Sequence, residues 1–299
     1  MAPLVRGSMA RGRASDADSM EATRLFWNAS PCGAQETFQE RYRHRFGFEP
    51  WIEDVLRLIA SRHRRVLEIG CGQGTDGIVL SSLIPKGGEY LGLDYSDESV
   101  SSARRAAREA AASLSLNVEP TFRTGNAERL EIADESVECV YSNGVLHHTA
   151  NPGTAFAEVW RVLQPGGEAF IALYRKPSLK VGVAKALRGV QAALDAILRQ
   201  DRCIYRRLEG RHMPRVLGTM LLEGFGVPVM EWYSRADILS IFRDFKIIRL
   251  TPVGYNAPRT RSTSRGWTPW GYLWFVHLQK PPVAPAHKSH DDTSHLDAR

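Results

Sequence analysis

From Arg65 onward, short apolar runs alternate with helical stretches. The runs are Val66–Ile69, Tyr90–Leu93, Val118–Phe122, Val137–Tyr141, Ala169–Tyr174, Lys246–Leu250 and Leu273–Leu278. Each is too short for a helix, so they are predicted as strands, with helices between them, notably over Ser99–Ala112 and Thr154–Leu163. This alternation predicts an α/β fold with a parallel sheet and helices on both faces, and ligands at the carboxyl ends of the strands. Residues 21–61 read as a helical cap punctuated by Pro31 and Pro50. The cap holds a dense aromatic set: Phe26, Trp27, Phe38, Tyr42, Phe46, Phe48 and Trp51.

Residues 178–230 break the alternation with a helical insertion after the fifth strand. Val183, Leu187, Val190, Leu194 and Ile197 recur there at steps of four and three, an apolar stripe on one helix face. The stripe is expected to cover the ligand edge of the sheet, as a lid, or a partner subunit. Residues 1–20 lack periodicity and read as a flexible arm. Residues 281–299, opening on Pro281-Pro282, read as a disordered tail whose His287, His290 and His295 are expected to be solvated.

The chain has 299 residues, 43% of them hydrophobic, enough for a core and against wholesale disorder. No apolar run approaches the ~18–20 residues of a membrane span, and the first residues lack the apolar core of a secretory signal. Four scattered cysteines (Cys32, Cys71, Cys139, Cys203) form no C-x-x-C pair, which fits a reduced, cytoplasmic setting. Net charge is +6, yet the segment from Arg175 to Arg215 alone carries eleven basic and three acidic residues. That +8 patch reads first as a solvated helical face in an arginine-rich composition, and otherwise hints at an anionic or lipid-like ligand. Nucleic acid is the weaker use, because Tyr205 is the only aromatic interleaved with these cations.

The richest segment is Glu68-Ile69-Gly70-Cys71-Gly72-Gln73-Gly74-Thr75-Asp76-Gly77. A buried strand runs into three alternating glycines and then a helix, whose first N–H groups and dipole end suit a ligand. Twenty residues after Gly74, at the end of the second strand, Asp94 is placed to accept from both ribose hydroxyls of an adenosine ligand. Gly72-x-Gly74-x-x-Gly77 formally satisfies the dinucleotide fingerprint, so NAD competes. Glu68 argues against it, since a carboxylate aimed into the loop repels a pyrophosphate and suits an ammonium. S-adenosylmethionine, an adenosine carrying an amino acid, meets both requirements.

Glu68-Ile-Gly70-Cys-Gly72-Gln-Gly74 resembles the first motif of the class I S-adenosylmethionine-dependent methyltransferases, and Asp94-Tyr95 their second. Gly125-Asn126-Ala127-Glu128 is similar to their adenine-contacting loop, and Ser142-Asn143-Gly144-Val145-Leu146-His147-His148 to their fourth-strand motif. Arg161-Val162-Leu163-Gln164-Pro165-Gly166-Gly167 resembles the turn before their fifth strand. The nearest group looks like the broad set that includes quinone-biosynthesis and natural-product methyltransferases. The resemblance implies a Rossmann-like seven-stranded methyltransferase domain over 62–280. It further implies Gly70 and Gly72 beneath the methionine part, Cys71 and Gly74 with them in the cofactor-binding loop, and Glu68 helping to hold the amino group. Asp94 would bind the ribose and Tyr95 would pack beside the adenine. Asn126 and Ala127 would contact the adenine, Asn126 replacing the family's usual Asp with an uncharged acceptor. Backbone groups near Asn143 would complete the amino-acid end, with Leu146 among the cofactor-binding residues.

Methyl transfer from a sulfonium is an in-line displacement in which the cofactor supplies the reactive carbon. A hydroxyl nucleophile needs a base, and an imidazole suits that role near neutral pH. His147 and His148 follow the fourth strand, where cofactor and acceptor should meet, and Tyr174 ends the fifth; one histidine is expected to face the pocket. Both histidines can instead be structural, and Tyr174 an ordinary core aromatic. Cys71 reads as a small packing residue. No carboxylate cluster follows the fourth strand, so no metal is invoked. The expected reaction is methylation of a hydroxyl on a small molecule. Alternatives are C- or N-methylation, methylation of RNA or protein, a nicotinamide-dependent oxidoreductase, and a cofactor-binding protein without turnover.

Overall fold

Seven strands form one sheet in the order β3-β2-β1-β4-β5-β7-β6. They are β1 (Arg65–Ile69), β2 (Glu89–Asp94), β3 (Thr121–Thr124), β4 (Val137–Asn143), β5 (Leu163–Tyr174), β6 (Lys246–Val253) and β7 (Leu273–Gln279). Pairings are parallel from β3 through β5, while β7 runs antiparallel to both β5 and β6. The chain reverses its direction of growth between β1 and β4, which opens a crevice at their carboxyl ends. This computed structural model describes residues 16–29, 37–199, 225, 227–254 and 271–282.

Residues alternate faces along each strand. Val66, Tyr90, Phe122, Cys139, Tyr141, Phe170 and Phe275 belong to one buried cluster with α3 (Trp51–Arg62), α4 (Thr75–Leu83) and α5 (Asp97–Ala111). Leu67, Ile69, Leu93, Val140, Ile171 and Val276 point the other way, to α6 (Pro152–Val162) and to α8 (Arg235–Ile241). Glu68 shares parity with Val66, so it is driven into the first cluster, opposite Tyr141 on β4.

The helices begin where side chains satisfy their first N–H groups. Ser96 caps α5 by accepting from the Ser99 N–H, Asn151 caps α6 ahead of Pro152, and Ser234 with Asp237 forms a capping box on α8. A second capping box, Thr37 with Glu40, starts α2 (Phe38–Phe48). Together with α1 (Asp16–Ala29) and α3, α2 makes the helical cap.

Several boundaries differ from expectation. Helix α1 begins at Asp16, so the last residues of the anticipated arm 1–20 are helical; residues 1–15, and 283–299 with their histidines, lie outside the described residues. The third strand starts at Thr121 rather than Val118, because Pro120 cannot donate to a ladder and the N–H of Val118 is bonded to the Ser81 carbonyl instead. The fifth starts early, at Leu163, which pairs with Val137 before the Gln164–Gly167 turn shifts the register.

The insertion opens with α7 (Leu179–Leu198), while 200–224, including Tyr205, lie outside the described residues. Its buried residues are Val181 and Ala184, and half-buried Leu187 meets Phe26, Phe225 and Val227. The far half of the expected stripe does not pack: Val190 is 53% and Ile197 74% exposed. No helix among the described residues is long and apolar enough to cross a membrane.

Candidate active site

The loop after β1 is clipped to the end of β2. The N–H groups of Gly70 and Cys71 both donate to the Leu93 carbonyl, at 2.7 and 2.9 Å, and that of Gly72 donates to Asp94 Oδ2 at 2.8 Å. Two of its glycines serve different ends. A Cβ on Gly70 (φ +79°) would meet Val145 Cγ2 at 2.2 Å, whereas one on Gly72 (φ +51°) would meet nothing within 4 Å. Gly70 therefore packs against the β4 corner, and Gly72 turns a bare backbone toward open space. Gly74 is the left-handed N-cap of α4, and Cys71 is buried with its thiol pushed well up by desolvation, which makes it a packing residue.

Below the loop lies a network that sequence reasoning missed, apart from Glu68 and Asn143. Asp76, on the first turn of α4, is 3% exposed and accepts a two-pronged bond from Arg45 of α2, with both N···O distances 2.5 Å. Its Oδ2 also accepts from the Tyr141 hydroxyl at 2.8 Å, and that hydroxyl accepts from Asn143 Nδ2 at 3.2 Å. Glu68, 3% exposed, accepts from the Tyr90 hydroxyl at 2.5 Å. Tyr90 reaches it through a slot left by two glycines: a Cβ on Gly77 would lie 2.0 Å, and one on Gly92 2.7 Å, from the Tyr90 oxygen. The third glycine of the formal dinucleotide fingerprint thus makes room for a tyrosine. Burial first, and then the charge of Asp76, push the Glu68 carboxyl up to about 8, against the lowering pull of Tyr90 and Arg45.

Asp94 ends β2 with Oδ1 accepting from the Ser96 N–H at 2.9 Å; burial raises its pKa, and these backbone N–H groups oppose the rise. A carboxylate has about four lone-pair sites, so acceptor capacity remains for a further donor. Tyr95 beside it is half-buried. Asn126 uses its side-chain carbonyl at home, accepting from the Glu128 N–H at 2.8 Å, and Ala127 packs on the sheet's second cluster. Helix α1 reaches this end: Ser96 Oγ donates to Asn28 Oδ1 at 2.7 Å, and Arg24 pairs with Asp97 at 3.7 Å.

The β4 corner continues into a single 3-10 turn over Leu146–His148. Leu146 is fully buried in the core of the second face, so its side chain lies below the crevice. His147, His148 and Tyr174 come together as one aromatic group: His147 is 4.2 Å from His148 and 4.1 Å from Tyr174 between ring centroids. His148 Nδ1 bonds to the Val229 carbonyl at 2.8 Å, and Trp27 of α1 packs edge-on to its ring at 5.8 Å. His147 is 0% exposed, and neither ring nitrogen has a partner among the described residues. Burial, His148 and Lys180 hold its pKa well below the usual histidine range, so the ring is neutral. Lys180, on the first turn of α7, donates to the Tyr174 hydroxyl at 3.4 Å and lies 4.2 Å over the Tyr272 ring.

Arg45, Asp76, Tyr90, Tyr141 and Lys180 were absent from the expected site. The signal for Asp76 was present, as the one charged residue of its helix, two positions beyond a glycine loop. No signal linked it to Arg45. Among the described residues no three His, Cys, Asp or Glu side chains group as metal ligands would.

The family model described as a methyltransferase domain matches residues 67–171. An uncharacterised 37.1 kDa protein of Streptomyces fradiae transposon TN4556 is 30% identical over 222 residues, 74% of this chain and 59% of that one. An arsenite methyltransferase of Halobacterium salinarum is 36% identical over 107 residues, covering 36% of this chain and 26% of its own. A ubiquinone biosynthesis O-methyltransferase of Mesorhizobium japonicum is 28% identical over 120 residues, 40% of this chain and 45% of that one. The chain thus matches less than two thirds of each relative's length. Among solved structures, magnesium protoporphyrin IX methyltransferase of Synechocystis with bound S-adenosylhomocysteine superposes with a TM-score of 0.51 at 17% identity, over 89% of this chain and 95% of that one. A Pyrococcus horikoshii protein, PH0226, gives 0.51 at 19% identity over 87% and 98%. Both likenesses concern the fold.

Proposed function

We propose that this chain, which belongs to the class I S-adenosylmethionine-dependent methyltransferase superfamily, transfers a methyl group from S-adenosylmethionine to a hydroxyl of a small-molecule acceptor. The observation that carries the reading is the clip between Gly72 and Asp94, a bare glycine backbone and a ribose-ready acid bonded to each other at the carboxyl ends of β1 and β2. The residues fit this cofactor. Asp94 keeps acceptor capacity for the ribose, and the open side of Gly72 admits a chain running over β1 toward β4. Glu68 and Asp76 are buried beside the Arg45 guanidinium, Asp94 adds its charge on Glu68, and Glu68 is already held back from ionising. Such a site resists a pyrophosphate and accepts a cation, which disfavours the nicotinamide reading.

When bound, the cofactor supplies an electrophilic methyl carbon. The protein aligns the acceptor and manages its proton. His147 supports the oxygen-acceptor reading: a neutral imidazole with unpartnered nitrogens takes a hydroxyl proton as the new carbon–oxygen bond makes that proton acidic. Tyr174 and His148 wall its ring on two sides. Helices α1 and α7, meeting through Phe26, Trp27 and Leu187, roof this corner. Because His147 is enclosed, the acceptor enters by displacing the roof, which gives the insertion the part of a lid. The basic segment favours an acceptor carrying negative charge.

Thermal melting with S-adenosylhomocysteine, and separately with NAD and NADH, tests the cofactor. A ligand at about 100 times its Kd adds ~2.7 kcal/mol of stability. A rise in Tm with S-adenosylhomocysteine alone is expected. A rise only with the nicotinamides would replace this reading with an oxidoreductase.

A further inference from the structure

We propose that Arg45 is a positioning residue: from the helical cap it fixes Asp76, and through Asp76 the Tyr141 and Asn143 side chains, which shape the amino-acid end of the cofactor crevice. The inference rests on the methyltransferase reading above. Asp94 on β2 marks the ribose end, so a ligand lying across β1 places its other end at the β4 corner, where Asn143 stands. Asp76 is the hub on that side. It accepts from two Arg45 nitrogens and from the Tyr141 hydroxyl, and Tyr141 in turn holds the Asn143 amide. The planar guanidinium fork fits a carboxylate two bonds at a time, which a lysine cannot reproduce.

Docking the cap is a separate matter. Helix α2 is anchored by buried Phe38 and Phe46, by the Phe38 N–H donating to Glu109, and by Gln39 donating to Ser113. The Arg45 side chain remains 36% exposed. Its partner cannot do without it, however: Asp76 and Glu68 are both buried on the same face of the sheet, and Arg45 is the guanidinium facing them. Without it, the buried Asp76 loses both of its guanidinium bonds beside an equally buried Glu68, and Tyr141 and Asn143 lose their reference.

The test compares two probes, S-adenosylhomocysteine and 5′-methylthioadenosine, which lacks the amino-acid portion. Calorimetric affinities are measured for wild type, Arg45→Met, Arg45→Lys and Tyr141→Phe, alongside the Tm of each ligand-free protein. Arg45→Met is expected to weaken S-adenosylhomocysteine by about tenfold or more, Tyr141→Phe by about three- to tenfold, and Arg45→Lys to fall between wild type and Arg45→Met. Affinity for 5′-methylthioadenosine is expected to stay within about twofold in all of them. Equal losses for both probes, or no loss for either, overturn the proposal. Arg45→Lys, which keeps the positive charge but not the two-pronged bond, decides the matter if Arg45→Met does not fold. Wild-type protein that binds neither probe overturns the methyltransferase reading itself, and this inference with it.

Discussion

Asp94 Oδ2 accepts a hydrogen bond from the Gly72 N–H at 2.8 Å, joining the acid at the end of β2 to the glycine loop after β1. The same carboxylate takes the Ser96 N–H at the start of α5, so it organises the crevice even before a ligand arrives.

Asp94→Ala is therefore expected to act twice. Hydrogen bonds to charged groups contribute about 1.5–3 kcal/mol each. Losing those to Gly72 and Ser96 should lower the Tm of the ligand-free protein, and losing the ribose contacts should raise the Kd for S-adenosylhomocysteine by at least about tenfold. Calorimetry that finds an unchanged Kd would remove Asp94 from the ribose role.

Gly70→Ala and Gly72→Ala should separate folding from binding. The first forces a methyl group into Val145 at a left-handed φ and should destabilise the fold by ~1–3 kcal/mol. The second meets no atom within 4 Å and costs only ~1–2 kcal/mol for its positive φ. Its methyl occupies the open side of the loop, so S-adenosylhomocysteine binding should be lost while the protein stays folded. Denaturant titration with binding measurements on the same samples checks both halves.

The raised pKa of Glu68 has a definite sign. Its folded value of about 8 lies above the ordinary 4.5, so between these the folded state holds a proton that the unfolded state has released. Stability from this group is full below about 4.5 and declines as pH climbs to about 8. Glu68→Gln should flatten that decline in the ligand-free protein. A cation in the site favours the ionised form, so S-adenosylhomocysteine should bind more tightly as pH rises from about 6.5 to 8.5, with proton release near neutrality. Calorimetry in buffers of different ionisation heat reads that release, and its absence would refute the assignment.

His147→Ala should lower kcat by about 10²–10⁴ if the ring acts as general base. Because His147 is held neutral, the wild-type rate should show no acid-side loss attributable to it between pH 8 and its lowered pKa. His148→Ala, which severs the bond to Val229, should have a smaller effect on kcat and a larger one on acceptor KM. Near-full turnover of His147→Ala at saturating substrate would place the base elsewhere.

The sequence by itself determined what depends on neighbours in the chain. Two-residue alternation put Val66 and Glu68 on one face of β1 and Leu67 and Ile69 on the other, and the glycine run announced a left-handed turn into a helix. Caps such as Ser96 and Asn151, and the loop-to-acid spacing from Gly74 to Asp94, are local in the same sense. Tertiary structure alone decided which long-range partners meet. Arg45 finds Asp76 across 31 positions, and Tyr90 reaches Glu68 only because Gly77 on a helix and Gly92 on a strand vacate the same slot. The apolar stripe of α7 likewise marked a helix without telling how much of it would find a surface, and Ile197 remained exposed. Periodicity reports the preference of one segment for an apolar side. The pairing of buried charges and the filling of a glycine slot depend on two segments arriving together, and that is set by packing.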